Sequence, residues 1–281
     1  GFCLKSQLAS MRDCQAIIKK AVVDSMSGSY GISRFEENGS VYQIRFSVMK
    51  DRVTLMIDTS GEGLHKRGYR AVSNAAPLKE TIAAAMVYLS HWKYEFPLAD
   101  PMCGSGTIPI EAAMIKRNIA PGLTRQFLSQ GFYQINDKIW EKAREEAKSS
   151  EKNVPLEILA SDIDADTVEI AIHNAKIAGV ADAVAPAVGN VADFATDLKY
   201  GTIICNPPYG ERLCDAEQCK ELYTLMGKAF SKLDKWSMYI LTSNEDFEKS
   251  FGKKASKKRK LYNGMLKCNV YQYFGERPKI R

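Results

Sequence analysis

The sequence is poor in the residue groupings that build metal centres. Its seven cysteines form no Cys-x-x-Cys pair, and its three histidines lie in separate segments. Zinc sites use cysteines or histidines paired at short spacing, so this pattern argues against zinc, and we predict that no metal is bound. An odd number of dispersed cysteines is also typical of proteins from a reducing compartment.

Long apolar runs are missing as well. No stretch approaches the ~18 consecutive apolar residues that a membrane-spanning helix needs, and the first residues show no secretory pattern. We therefore expect a cytoplasmic protein with no membrane partner. The chain opens with Gly1-Phe2-Cys3 rather than Met and runs directly into a folded-looking pattern, so we expect the natural N-terminus to be missing or trimmed.

What the sequence does contain is the composition of an ordinary globular protein with a basic excess. The 281 residues are 45% hydrophobic and 26% charged, with a formal net charge of +6. A mildly basic protein is compatible with a polyanionic partner. One run is more specific: six of its eight residues are basic, and it is either a solvated lysine-rich loop or a ridge that contacts RNA phosphates. These six residues are Lys253, Lys254, Lys257, Lys258, Arg259 and Lys260.

The first part of the chain has the pattern of a small α+β unit. Apolar residues at helical spacing predict a helix over 7–26, and Gly28 is a plausible stop. Alternating segments at 41–48 and 53–57, joined by Lys50-Asp51, predict a hairpin. A helix and a hairpin are not a complete domain, so this segment is interpreted as the trailing half of one.

From about residue 75 the pattern becomes an alternation of strands and helices, which predicts a parallel, doubly wound α/β sheet. The first helix, 76–90, has Pro77 in its first turn, and Asn263-Gly264 predicts a closing hairpin. Segment 118–153 interrupts the alternation as an insertion, either a structural flap or a lid. The predicted strands are 96–99, 156–160, 184–188, 202–205 and 238–242, the further helices are 105–117, 164–178, 215–232 and 244–250, and the hairpin strands are 260–262 and 265–274.

A glycine loop follows the first strand of the sheet, where ligands of such sheets bind. It starts at Asp100, has Gly104 and Gly106, lacks the lysine of a phosphate-binding loop, and has Pro109 where a dinucleotide loop has its third glycine. Asp100 would repel a phosphate and attract a cationic amino-acid group. The loop therefore fits S-adenosylmethionine, which carries an ammonium and a cationic sulfur.

Two further strand ends carry polar residues suited to a nucleoside. Asp162 ends the next strand, where a carboxylate can accept both ribose hydroxyls, whereas Asp164 is interpreted as the cap of the following helix. After the third strand, Asn190 could bond the adenine amino group and Val191 could pack on its ring. Asn190 can accept that bond through its side-chain amide oxygen.

The most specific motif is Asn206-Pro207-Pro208-Tyr209 after an apolar strand. The amino nitrogen of a nucleobase is a poor nucleophile because its lone pair is delocalised into the ring. The Asn206 side-chain oxygen and the Pro207 carbonyl can accept hydrogen bonds from its two N–H groups, the prolines stiffen the loop, and Tyr209 offers a face on which a flipped base can stack. No general base is evident, since alignment of the reactants can supply much of the rate.

These motifs, in this order, resemble the bacterial THUMP-domain RNA methyltransferases, and most of all the family of the large-subunit (23S) ribosomal RNA guanine-N2 methyltransferase L. The resemblance extends over DTSGEGLHKRGYR (58–70), APLKETIAAA (76–85), DPMCGSGTIPIEAA (100–113), NPPYGERL (206–213) and KLYNG (260–264).

The resemblance implies a two-part organisation. Residues 1–62 would be the C-terminal part of an RNA-binding THUMP domain, and 63–281 would be a Rossmann-like class I methyltransferase domain with a seven-stranded, mostly parallel sheet. The substrate would be the N2 amino group of a guanine in 23S ribosomal RNA. Asn206, Pro207, Pro208 and Tyr209 would form the catalytic loop, and the cofactor would lie against Leu78, Asp100, Met102, Cys103, Gly104, Ser105, Gly106, Asp162, Ile163, Asn190, Val191 and Asn206.

Other enzymes share the Asn-Pro-Pro-Tyr motif, and they stay as alternatives. They are transfer-RNA guanine-N2 methyltransferases, adenine amino methyltransferases acting on DNA or RNA, and release-factor glutamine methyltransferases. The THUMP-like segment favours RNA. A different class is a non-catalytic RNA-binding assembly factor that retains the fold, although no key position of the motifs is obviously lost.

Overall fold

The computed structural model describes residues 1–36, 38–70, 78–209 and 215–276. The helices are α1 (Met11–Tyr30), α2 (Glu80–Ser90), α3 (Thr107–Lys116), α4 (Asp137–Ser149), α5 (Ala165–Ile177), α6 (Ala216–Phe230) and α7 (Phe247–Phe251). The strands are β1 (Phe2–Leu4), β2 (Gln43–Met49), β3 (Arg52–Asp58), β4 (Leu98–Asp100), β5 (Ile158–Asp162), β6 (Ala187–Val188), β7 (Thr202–Cys205), β8 (Ser237–Thr242), β9 (Lys257–Asn263) and β10 (Leu266–Tyr273). Short 3-10 turns lie at Leu128–Gly131 and Val191–Asp193.

The chain divides into two compact units. The first comprises Gly1–Gly63 together with Gln126–Arg144, and the second comprises Leu64–Arg125 together with Glu145–Arg281. Part of the expected insertion at 118–153 therefore belongs to the first unit.

The first unit contains a three-stranded sheet in the order β1-β2-β3 and the helix α1. The β2–β3 hairpin is confirmed, and both turn residues, Lys50 and Asp51, have a positive φ. The helix starts at Ser10, whose hydroxyl accepts from the Asp13 N–H, and it ends at Gly31 with φ +67°. The expected stop at Gly28 was wrong, because Gly31 is the residue that takes the left-handed conformation that ends the helix.

The second unit contains a seven-stranded sheet in the order β6-β5-β4-β7-β8-β10-β9. The pairs among β6, β5, β4, β7 and β8 are parallel, and β10 runs antiparallel to both β8 and β9. The prediction of a mostly parallel doubly wound sheet is confirmed. Because β9 and β8 are both antiparallel to β10, β9 runs in the same direction as β7 and β8.

Two apolar clusters cover the two faces of this sheet. Leu98 and Ile204 belong to the cluster that includes α2 and α3, whereas their neighbours Ala99 and Ile203 belong to the cluster that includes α6 and α7. Successive side chains of a strand point to opposite faces, so each face has its own helical cover. This explains why the strands are continuous apolar runs rather than alternating segments.

Several boundaries differ from the sequence prediction. Helix α2 begins at Glu80 because Lys79 before it has an extended backbone, and Pro77 lies outside the described residues. In the last hairpin, Asn263 is the final residue of β9 and faces Leu266, so the two turn residues are Gly264 and Met265. Gly264 takes the positive φ of +67° that the turn requires. Among the described residues, no helix is both long and apolar enough to cross a membrane.

Candidate functional site

A cavity of about 280 Å³ lies in the second unit, where β4, β5 and β7 end. Ten of the residues predicted from the sequence to bind the cofactor or the substrate line it: Leu78, Asp100, Met102, Cys103, Gly104, Ser105, Asp162, Ile163, Asn206 and Pro208. The cavity thus brings together residues that are up to 130 positions apart in the chain (78 to 208). Its place agrees with the rule that ligands of parallel sheets bind beyond the carboxyl ends of the strands.

The loop after β4 forms one wall of the cavity. Gly104 has φ +53°, and a Cβ atom added there would have no atom within 4 Å, so this backbone faces open space. Gly106 has a different role: a Cβ there would lie 3.1 Å from Ala171 Cβ of α5. Gly106 does not line the cavity and instead allows α3 to begin close to α5. The first glycine provides access for a ligand, and the second provides helix packing.

Two carboxylates differ in their surroundings. Asp100 is only 1% exposed and accepts from the Met102 N–H at 3.3 Å. Burial, and to a lesser degree the nearby Asp162, raises the pKa of the Asp100 carboxyl well above its ordinary value. A cationic group in the cavity would reverse that shift, since an opposite charge favours the ionised form. Asp100 is therefore suited to a positively charged ligand.

Asp162 holds the two loops of the cavity together. Its Oδ2 accepts from the Gly104 N–H at 2.9 Å, and its Oδ1 accepts from the Asp164 N–H at 3.2 Å. A carboxylate has about four lone-pair sites, so two remain for hydroxyl groups. Asp162 can therefore hold the two loops in place and also accept hydrogen bonds from the hydroxyl groups of a ribose.

Four lining residues were missed by the site prediction: Thr107, Ile108, Asp164 and Thr167. Asp164 was interpreted as the cap of α5, and this is confirmed, because its Oδ1 accepts from the Asp166 N–H at 3.2 Å. Thr167 donates to Asp164 Oδ2 at 2.6 Å. All four lie at the first turns of α3 and α5, which the sequence indicates, but their exposure to the cavity depends on how the helices pack.

Asn190 and Val191 are not among the lining residues of the cavity. Asn190 follows β6, and its side-chain oxygen accepts from the Ala192 N–H at 2.9 Å, which caps the 3-10 turn. Val191 is buried in the cluster that includes α6 and α7. In this structure Asn190 therefore caps a turn and Val191 packs in the core. Adenine binding by these two residues stays a prediction.

The loop after β7 forms the opposite wall. The Pro208 carbonyl accepts from the Tyr223 hydroxyl at 2.9 Å, and this hydroxyl also lies 3.2 Å from Thr242 Oγ1. Pro207 is buried. Asn206 lines the cavity, and its Oδ1 atom is buried with no hydrogen-bond partner among the described residues. A buried acceptor without a partner costs on the order of 1–3 kcal/mol, so this oxygen is suited to a donor brought by a ligand.

Tyr209 is placed differently from its predicted role. The ring is partly buried against the cluster that includes α2 and α3, and it does not line the cavity. Its hydroxyl accepts from Asn263 Nδ2 at 3.4 Å. Burial raises the pKa of the Tyr209 phenol, so the hydroxyl stays protonated at neutral pH. Because the ring packs against this cluster and does not line the cavity, a base could stack on it only if the ring moved or the base reached its outer face.

The six basic residues lie away from the cavity. Lys253 and Lys254 follow α7, and Lys257, Lys258, Arg259 and Lys260 lie on β9.

In the described part of the chain, no group of three or more His, Cys, Asp or Glu side chains could hold a metal ion.

Comparison with known proteins agrees with this arrangement. A family model described as "RMKL-like, methyltransferase domain" matches residues 67–272. The RNA methyltransferase YpsC of Bacillus subtilis (strain 168) is 48% identical over 99% of this chain, which spans 74% of that protein. The ribosomal RNA large subunit methyltransferase K/L of Shewanella pealeana is 35% identical over 99% of the chain, which spans only 40% of that protein.

A solved structure gives the same picture. The methyltransferase SMU.472, solved with S-adenosylhomocysteine, superposes with a TM-score of 0.90 at 43% identity, covering 99% of this chain and 74% of that one.

Proposed function

Because the chain belongs to the family of RMKL-like methyltransferase domains, we propose that it transfers a methyl group from S-adenosylmethionine to an exocyclic amino nitrogen of RNA. The finer proposal is the N2 nitrogen of a guanine in 23S ribosomal RNA. The observation that carries the chemistry is the buried Asn206 Oδ1, which finds no hydrogen-bond partner in the described part of the chain; Asn206 lines the same cavity as Asp100 and Asp162.

The cavity residues fit the proposed cofactor. Gly104 leaves open space beside its backbone, Asp100 is a buried carboxylate suited to a cation, and Asp162 keeps acceptor sites for ribose hydroxyls. The SMU.472 relative was solved with S-adenosylhomocysteine, the demethylated form of this cofactor. When bound, S-adenosylmethionine supplies an electrophilic methyl group on a cationic sulfur.

The chain's own residues prepare the nucleophile. Asn206 Oδ1 accepts a hydrogen bond from one N–H of the incoming amine, which favours a pyramidal nitrogen with an available lone pair. The Tyr223 hydroxyl, by donating to the Pro208 carbonyl, fixes the loop that carries Asn206. Such preorganised acceptors stabilise the positive charge that develops on the nitrogen, without reorganisation during the reaction.

Two observations support RNA as the substrate. The names of the Bacillus and Shewanella relatives refer to RNA, and the Shewanella name refers to the large ribosomal subunit. The chain carries a net charge of +6 with a strongly basic run near its end. Guanine N2 rests on the resemblance of the motif NPPYGERL, and residues 210–214 of that motif lie outside the described residues.

The first test is to incubate the protein with radiolabelled S-adenosylmethionine and, separately, with unmodified 23S ribosomal RNA, bulk transfer RNA and DNA. We expect N2-methylguanosine from ribosomal RNA alone. Label in transfer RNA would mean that transfer RNA is the substrate, and the proposed chemistry would be unchanged. Methyladenine in DNA would contradict the RNA proposal. Cofactor binding with no label in any substrate would favour a non-catalytic RNA-binding assembly factor.

Two substitutions separate the two roles within the cavity. Asn206→Ala should lower kcat by at least about 100-fold, because it removes the amine acceptor, while the dissociation constant for S-adenosylhomocysteine stays within about threefold. Asp162→Ala should do the reverse and raise that dissociation constant about tenfold or more, equivalent to ~1.4 kcal/mol. Calorimetry and single-turnover kinetics measure the two effects, and loss of cofactor binding in Asn206→Ala would overturn the role assigned to Asn206.

A further inference from the structure

The basic run has a definite place in the fold. Four of its six residues lie on β9, the edge strand of the seven-stranded sheet, which pairs with β10 in the described structure. From the sequence, the run was either a solvated loop or a single ridge. As a strand, it has two faces that point in opposite directions.

The strand register assigns each cation to a face. Arg259 faces Val270 and lies two residues before Leu261, and both Val270 and Leu261 belong to the cluster that includes α2 and α3. Lys258 faces Tyr271, which belongs to the cluster that includes α6 and α7. By alternation, Lys257 and Arg259 share the first face, and Lys258 and Lys260 share the second.

Two of the basic residues, Lys258 on the second face and Lys253 after α7, already have contacts within the protein. Lys258 Nζ lies 2.5 Å from Glu248 Oε2 of α7 and 5.0 Å from the centre of the Tyr271 ring. Lys253 Nζ lies 5.9 Å from the centre of the Tyr273 ring. These contacts hold the edge strand against α7. The Glu248 carboxylate also offsets part of the Lys258 charge that would otherwise attract a phosphate.

The first face leads to the catalytic loop. Because β9 runs in the direction of β7, its carboxyl end lies at the same edge of the sheet as the loop that starts at Asn206. Asn263, on the same face as Arg259, reaches that loop by donating from Nδ2 to the Tyr209 hydroxyl at 3.4 Å. At about 3.3 Å per residue, Arg259 lies ~13 Å and Lys257 ~20 Å back along the strand from Asn263.

We propose that Lys257 and Arg259 form a phosphate track for the RNA strand that flanks the methylated base, and that Lys258 stabilises the fold instead. This inference rests on the proposed RNA methyltransferase function. Both side chains are exposed, and a guanidinium can bind phosphate through two parallel hydrogen bonds. The Asn263–Tyr209 contact joins the track to the loop that binds the amine, so the backbone and the target base are held by one connected surface.

The test compares charge removal on the two faces of the same hairpin. The variants are the double substitution Lys257→Gln/Arg259→Gln, the single Lys258→Gln, and the control Lys267→Gln. Lys267 lies on β10 opposite Tyr262, on the second face, and its side chain is 51% exposed. RNA binding to the full chain is measured by fluorescence anisotropy at several salt concentrations, with calorimetry for S-adenosylhomocysteine.

We expect the double variant to bind RNA about tenfold more weakly. Its log–log salt dependence should become shallower by about 1.4 for single-stranded RNA, since each lost phosphate contact removes about 0.7. Its affinity for S-adenosylhomocysteine should be unchanged. Lys258→Gln and Lys267→Gln should leave the salt slope near its wild-type value, with Lys258→Gln less heat-stable.

An equal loss of RNA affinity per charge removed in the Lys258 and the double variants would overturn the track, because the cations would then act as a diffuse field. Wild-type protein that binds anionic lipid vesicles but not RNA would also overturn it. Face-specific RNA binding without methyl transfer to any RNA would support the track and contradict the proposed function, so the two failures are distinguishable.

Discussion

The chemical behaviour of the side chains in and near the cavity depends on their surroundings more than on their residue type. Cys103 and Cys205 lie close to the candidate site, and burial raises the pKa of both thiols well above the ordinary value. Such thiols stay protonated at neutral pH and are poor nucleophiles, which argues against covalent cysteine catalysis. Asp100 and Asn206, in contrast, are polar groups whose burial makes sense only when a ligand completes their contacts.

At this scale we predict that Asp100→Asn stabilises the cofactor-free protein while weakening cofactor binding. The raised pKa means that the folded state binds a proton more tightly than the unfolded chain. Wild-type stability is therefore fully present below the ordinary pKa of aspartate and falls as the pH rises through the folded-state pKa. Asparagine does not ionise, and its oxygen can still accept from the Met102 N–H.

Urea unfolding of both proteins across acidic and neutral pH measures this effect. The variant should be more stable near neutrality by on the order of 1–2 kcal/mol, with a difference that shrinks towards acidic pH. Its affinity for S-adenosylhomocysteine should fall. A stability difference that does not vary with pH would contradict the role of Asp100 ionisation.

The walls of the cavity depend on helices that begin at the correct positions. Arg70 connects two of them: its Nη2 donates to the Leu78 carbonyl at 2.9 Å, just before α2, and to the Thr107 hydroxyl at the start of α3. Its Nε lies 3.6 Å from Glu80, which is 3% exposed. Leu78 and Thr107 both line the cavity, so Arg70 positions two walls from behind them.

At the scale of elements we predict that Arg70→Lys raises the dissociation constant for S-adenosylhomocysteine about tenfold, or ~1.4 kcal/mol. A lysine keeps the charge beside Glu80 but lacks the planar fork that reaches two acceptors. The matched control is Arg67→Lys, because Arg67 binds buried Glu111 of α3 at 3.3 Å and does not line this cavity. The control should lose stability but keep cofactor affinity, and calorimetry with thermal melting distinguishes the two. Equal losses of affinity would mean that Arg70 only stabilises the fold.

At the scale of the whole molecule, the two compact units have separate cores of very different size. Of the described residues in the first unit, three form a buried apolar cluster: Cys14, Phe46 and Val48. The second unit contains two large clusters on either side of its sheet. All the described residues that line the cavity belong to the second unit.

We therefore predict that Phe46→Ala destabilises the first unit by about 3 kcal/mol, as expected for loss of a buried phenylalanine, while cofactor affinity stays within about twofold. Limited proteolysis should then cut within residues 1–63 first. The matched control is Phe247→Ala, in the core of the second unit, which should impair both stability and cofactor binding. Simultaneous loss of both units in Phe46→Ala would contradict independent cores.

Much of the architecture follows from local pattern. Apolar runs, glycines and caps predicted the order of the strands and helices along the chain, since each depends on residues close in the chain. Boundaries were less accurate: Gly28 lies inside α1, and Asn263 lies in β9 rather than in the turn. These errors arise because either of two nearby residues could end the element, and packing selects one.

The sequence alone determined which chemical groups are present and in what order, and hence the glycine loop, the acidic strand ends and the Asn206 loop. Only the tertiary structure decided which of them face the cavity. It turns Tyr209 towards Asn263, gives Asn206 Oδ1 no partner within the residues that the structure describes, and separates the basic run into two faces. These properties depend on strand register and on contacts between residues far apart in the chain, which no local pattern specifies.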